Sequence, residues 1–221
     1  KYLFRLLSIN DDIFDNLYEK YKKYDIPYTN KWYIENILDF SFENHINKLK
    51  LNYKNKHKRL IRSLKREKEY FITNINDNYL EIIDKNVKII GENFKNKNKN
   101  YEWQDDHKKP LLIDILNYFK KNNKLYFYIL NHKNRNNIGW FCCIEYNKKI
   151  YNLIFNIIDR INENDVIVLF IKMINLFKNY KFKYIDFMNG NFGYKNICGC
   201  DYKPMFSLIN DKLWNIKYNE D

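Results

Sequence analysis

The sequence predicts an α+β protein of three layers, in which helices flank a mixed sheet built around an antiparallel meander. Two observations carry that expectation. Lys124–Asn131, Ile138–Tyr146 and Lys149–Ile157 are apolar, aromatic-rich runs separated by the polar breaks Asn134–Asn137 and Asn147–Lys148, as consecutive hairpins require. An apolar helix-length stretch from Asn164 to about Tyr180 then leads into a further strand-like run, Lys183–Met188, so a helix and one more strand follow the meander.

The upstream elements follow in order. Asn10-Asp11-Asp12 offers caps for a helix to about Tyr24, and Pro27 stops it because the residue before proline resists helical dihedrals. Tyr33–Phe40 reads as a short extended piece. Ser41 then caps a segment in which Phe42, Ile46, Leu49, Tyr53, Leu60, Ile61 and Leu64 form one stripe of a single long helix to about Lys68. Glu69–Ile75 reads as a strand and Asn76–Phe94 as an amphipathic helix. Asn96–Asn100 is a polar loop, and Pro110 fits the first turn of a helix to Lys121. Beyond Met188 come a Gly-punctuated loop and an extended segment around Met205–Ile209.

The 221-residue chain is 45% hydrophobic and 18% aromatic, which excludes a disordered polymer and supplies a core without a metal or disulfide staple. Its apolar runs stop short of the roughly 20 residues that span a bilayer, and no leader pattern is present, so a cytoplasmic place is expected. Cys142-Cys143 and Cys198-Gly199-Cys200 lack the paired spacing of a zinc site and are expected as buried thiols. His45, His57, His107 and His132 are scattered, so no metal is expected.

The net charge of +12 is concentrated in one place. Lys48–Lys68 hold ten Lys or Arg and one acid, Glu67, which leaves +3 for the rest of the chain. Three readings of this basic helix stay open. It is a solvated face, or it binds a phosphate-bearing substrate such as tRNA or a nucleotide-linked precursor through Arg59, Arg62 and Arg66, or it attaches to an anionic membrane.

The order of elements is similar to the GNAT acyltransferase fold, and more specifically resembles the Fem-like and CelD-like acetyltransferase branch. Three stretches carry the resemblance. Asp39–Glu43 leads into Lys56–Arg66, similar to the basic helix before the second lobe of those proteins. Trp103 precedes the Pro110–Lys121 helix and the strand Leu125–Leu130. Asp186-Phe187-Met188-Asn189-Gly190 with Tyr194-Lys195 is similar to the family's D-F-x-x-G…Y-K signature. The resemblance implies that residues 1–68 are the remnant of a first lobe plus the connecting helix, and that 69–221 form an acyltransferase lobe.

It further implies an N-acyltransferase that moves an acyl group to an amine acceptor by direct attack, with acyl-CoA as donor substrate and no metal. At the place where GNAT enzymes carry a Gly-rich pyrophosphate loop, this chain reads Asp159–Asp165, with no Gly and three acids. A tRNA-dependent aminoacyl ligase of Fem type is therefore the first alternative, and a non-catalytic nucleic-acid-binding or scaffold protein the second. Acyl transfer needs a proton acceptor and donors for the oxyanion. Lys195 is the candidate to neutralise the oxyanion or a phosphate and Tyr194 to protonate a leaving thiolate, set against an ordinary surface Lys and one of 20 tyrosines. Asp186 is a base or the cap of the following turn. Gly190 and Gly193 are expected where the backbone approaches substrate. Glu145 is a more remote base candidate, and Trp103 a core anchor.

Overall fold

In a computed structural model of the chain, the described residues are 28–52, 55–75, 78–95, 108–189 and 193–206. The expected helix before Tyr24, the Asn96–Asn100 loop, Trp103, His107 and Gly190 lie outside them. Among the described residues, those within 32–188 and 193–201 belong to one compact unit, and 28–31, 189 and 202–206 to a second. The elements are β1 (Tyr28–Ile34), α1 (Phe42–Asn52), α2 (Lys56–Arg66), β2 (Tyr70–Asn74), α3 (Tyr79–Lys95), α4 (Lys108–Lys121), β3 (Leu125–His132), β4 (Arg135–Tyr146), β5 (Lys149–Ile157), α5 (Asp165–Asn179), β6 (Ile185–Asn189), α6 (Gly193–Ile197) and β7 (Asp201–Phe206).

The strands form one mixed sheet in the order β2-β3-β4-β5-β6-β1-β7. β2 through β5 pair antiparallel, and β5 with β6 parallel. The meander is there because two tight turns make it. Asn147 and Lys148 both take positive φ (49° and 59°), the geometry that matches a two-residue hairpin to strand twist. The other turn falls at Lys133-Asn134 rather than across Asn134–Asn137. Asn137 joins β4 instead, its N–H donating to the Asn131 carboxamide at 2.8 Å beside an irregularity in the β3–β4 register.

A parallel neighbour needs a crossover, and α5 is that crossover. Its sequence is apolar nearly all round, as a helix packed between a sheet and other helices must be, and it buries Ile167 through Ile171, Met173, Ile174 and Phe177. Leu49 of α1 and Leu60 of α2 join the same core cluster. On the opposite face, Tyr79 of α3 packs on Phe127, which stacks on Trp140. The three expected layers are present: α1, α2 and α5 on one side, the sheet, and α3 and α4 on the other.

Four further expectations needed correction. The single helix from Phe42 to Lys68 is two helices, with Asn55 (φ −127°) preceding the second. The apolar stripe has no member between Tyr53 and Leu60, and the Asn52 side chain donates to the Lys48 carbonyl at 3.2 Å, an alternative to continuing the helix. The extended piece ends at Ile34, and a turn follows over 37–39. The loop after β6 contains the short helix α6. The last strand begins at Asp201, ahead of the expected Met205, and 207–209 lie outside the described residues.

Candidate active site

β5 and β6 are registered at Ile150↔Ile185 and Tyr151↔Asp186, near the start of both strands. A bulge in β5 follows immediately, where Cys142 faces Ile154, Cys143 faces Asn152 and Leu153 is the extra residue. Bulges of this kind bend a strand and end its regular pairing. Open sheets bind ligands outside the carboxyl ends of parallel strands, next to the crossover helix. Three elements meet at that edge here: the start of α5, α6, and the basic helix α2.

The loop into α5 is built on Asp165, which is buried. Its Oδ2 accepts the N–H groups of Ile161 (2.7 Å) and Asn162 (3.0 Å), and its Oδ1 accepts the Tyr70 hydroxyl (2.7 Å). Burial and this carboxylate push the Tyr70 hydroxyl's pKa well above its usual value. The Asn164 N–H donates to the Asn162 carboxamide at 2.8 Å, and those of Ile158 and Asp159 to the Ile138 carbonyl. In the position of a pyrophosphate-binding loop, most of these amides are thus committed to acceptors within the chain.

α2 lies across this edge with Lys56 and Arg59, one turn apart, facing inward. Lys56 Nζ donates to the Asn196 side chain on α6 at 3.2 Å, and Arg59 Nε donates to the Asn164 side chain at the start of α5 at 3.2 Å. Both partners are neutral amides, and for Arg59 this contact orients the cation without cancelling its charge. Arg62 reaches the exposed Glu163 at 3.8 Å, and Arg66 is exposed at the end of the helix. His45 Nε2 sits 3.0 Å from the Asn196 carbonyl, and burial holds its imidazole below the usual value.

The residues singled out by the D-F-x-x-G…Y-K resemblance are close by, with sharply different surroundings. Lys195 is 1% exposed, and its ammonium donates to the carbonyls of Phe187 (2.9 Å) and Met188 (3.1 Å) at the end of β6. Met188 has a φ of +58°, costly for a side chain of that size, and the Asp186 carboxylate accepts its N–H at 2.8 Å. Asp186 and Lys195 thus hold one irregular strand end between them. Burial lowers the Lys195 pKa to about 8, against the attraction of Cys200 and Asp186. Tyr194 is directed into an aromatic cluster, edge-on to Phe155 (5.7 Å) and Phe170 (5.2 Å), and burial pushes its hydroxyl's pKa far up.

Gly193 opens α6, where a β-carbon would meet nothing within 4 Å. Glu145 is near the end of β4, at the opposite end of the strands, accepting the Tyr126 hydroxyl at 3.1 Å beside a groove of about 640 Å³ lined by Tyr126, Tyr128, Tyr180 and Phe182. All four cysteines are buried and reduced. Among the described residues no cluster of His, Cys, Asp or Glu is arranged to hold a metal ion, and no helix is long and apolar enough to cross a membrane. Sequence reasoning missed Lys56, Asn164 and Asn196; the available signal was the i, i+3 spacing of Lys56 and Arg59, which puts them on one side of α2.

No family model matches the chain, and no curated protein matches its sequence. Among solved structures, the C-terminal (DUF2156) domain of a putative lysylphosphatidylglycerol synthetase from Agrobacterium fabrum aligns with a TM-score of 0.51 at 7% identity, over 86% of this chain and 64% of that one. The fold is shared. A conserved protein of unknown function from Bacteroides thetaiotaomicron VPI-5482 aligns at 0.45 with 17% identity, over 83% and 61%. L-PGS from Bacillus licheniformis aligns at 0.41 with 10% identity, over 90% and 55%. Of these three, the Agrobacterium likeness is close enough to bear on the fold. It bears on the fold alone, and the protein it falls on is named as a synthetase domain, where the sequence resemblance pointed to Fem-like and CelD-like proteins.

Proposed function

We propose that this chain is an acyl-transfer domain that passes an aminoacyl group from a phosphate-bearing donor, such as an aminoacyl-tRNA, to an amine acceptor. The observation that carries this reading is Arg59, turned inward and oriented by the neutral Asn164 amide at the carboxyl edge of a parallel strand pair, with Lys56 one turn before it on the same side of α2. The Arg59 Nη groups have no carboxylate partner among the described residues, which leaves a planar fork suited to a phosphate. The Asp165-filled loop gives no support to an acyl-CoA donor. The lysyl-transfer chemistry in the name of the Agrobacterium synthetase agrees with an aminoacyl donor.

In this mechanism the acceptor amine attacks the carbonyl carbon, the electron pair moves to the carbonyl oxygen, and collapse of the tetrahedral intermediate expels the donor's oxygen. Asp186 takes the ammonium proton. The leaving oxygen takes its proton from solvent, and Tyr194, packed between Phe155 and Phe170, supports α6 from beneath instead of acting as the acid. Lys195 is a positioning residue in this account, holding the end of β6 through its carbonyls instead of meeting the oxyanion. The test is donor binding, with filter-bound aminoacyl-tRNA as probe. Arg59→Gln should weaken binding and lower its salt dependence by about one released counterion. Equal affinity and an equal salt slope in Arg59→Gln would remove Arg59 from donor binding.

A further inference from the structure

The outward side of α1 and α2 has a chemistry of its own, and it does not depend on acyl transfer. Leu51, in the last turn of α1, is 86% exposed, more than any other large apolar side chain described. Lys48 and Lys50 flank it and are exposed, as are Lys58, Arg62, Lys65 and Arg66 of α2. Leu49 and Leu60 enter one core cluster, so the two helices turn their opposite sides to solvent together. On α2, residues 58, 62 and 65 fall on the face away from Leu60 and Ser63. The one acid within 48–68, Glu67, is held by Lys172 of α5 at 2.6 Å and does not offset this face. The Arg62–Glu163 contact is long and exposed, so it neutralises little.

We infer that this face docks on an anionic lipid surface. The cations alone would serve any polyanion. Leu51 decides between them, because a nucleic-acid backbone has no use for an extended aliphatic side chain among lysines. A bilayer does: apolar side chains of an interfacial helix enter the headgroup boundary while the surrounding cations meet the anionic leaflet. Each cation held near such a surface contributes about fivefold in affinity, and the attraction fades beyond a Debye length.

The test is co-sedimentation of the whole chain with vesicles of phosphatidylcholine alone and of phosphatidylcholine with about one third phosphatidylglycerol, at low and high salt. Binding should require the anionic lipid and fall at high salt. Leu51→Glu should weaken it roughly tenfold or more, and Lys58→Gln and Lys65→Gln about fivefold each, with melting temperatures unchanged because these side chains are exposed. Bulk tRNA, run as a comparison, should bind Leu51→Glu as well as wild type. Three results would overturn the inference: no preference for anionic vesicles, Leu51→Glu binding vesicles like wild type, or Leu51→Glu losing tRNA and vesicle affinity alike. None of these depends on whether transfer activity is found.

Discussion

Replacing Asp165 by Ala removes the acceptor for three donors at once: the N–H groups of Ile161 and Asn162 and the hydroxyl of Tyr70. Hydrogen bonds to a charged acceptor are worth about 1.5–3 kcal/mol each and do not add when they share one group. The two loop amides can rewet as the loop opens, whereas the Tyr70 hydroxyl is left beside Asn162 without its acceptor. The expected loss is therefore about 3–4 kcal/mol, a large part of the roughly 5–15 kcal/mol that holds a domain together. For a chain of this length that lowers the melting temperature by about 10 °C. Tyr70→Phe removes one of the three bonds and should cost about 1–2 kcal/mol. Urea unfolding of both variants and of the double variant measures the losses and their coupling. An Asp165→Ala loss below about 1 kcal/mol, or a Tyr70→Phe loss equal to it, would refute the claim that this carboxylate organises the loop at the site.

Lys195 has a folded pKa near 8, below its unfolded value, so between about pH 8 and 10.5 the unfolded chain binds the extra proton. Wild type should therefore gain stability relative to Lys195→Met as pH rises through that window, and a flat difference in urea midpoints would contradict the buried ammonium. Burial pushes the thiols of Cys142, Cys143, Cys198 and Cys200 upward, so a thiol reagent at neutral pH should label none of them in the folded protein and all four in denaturant. Gly199 has a φ of +92° and its β-carbon position is occupied by the Phe40 ring, so Gly199→Ala should lose about 2 kcal/mol or more by denaturant unfolding.

What could be read from the sequence follows the range of the interactions. The meander was legible because each strand pairs with its neighbour through a turn of two residues, and α5 because its apolar run is longer than a strand allows. The break between α1 and α2 was not, since Phe42–Leu64 keeps helical spacing on both sides of it. α6 has five residues, too few for any period to register. The motif around Asp186 and Lys195 marked the right edge of the sheet. It could not show that the Lys195 ammonium is spent on backbone carbonyls, because carbonyls have no sequence signature. The contacts Lys56–Asn196 and Arg59–Asn164 join residues 140 and 105 positions apart, in a chain rich in both lysine and asparagine. Only the fold brings them together.

The central claim is that aminoacyl transfer occurs at the carboxyl edge of β5 and β6. Its most direct test is single-turnover transfer from aminoacyl-tRNA with a labelled amino acid to a simple amine, with acyl-CoA as the competing donor. The account predicts an enzyme-dependent amide product from the tRNA donor, a rate that falls about 10²-fold in Asp186→Asn, and no product from acyl-CoA. Product from acyl-CoA alone, or an undiminished rate in Asp186→Asn, would contradict it.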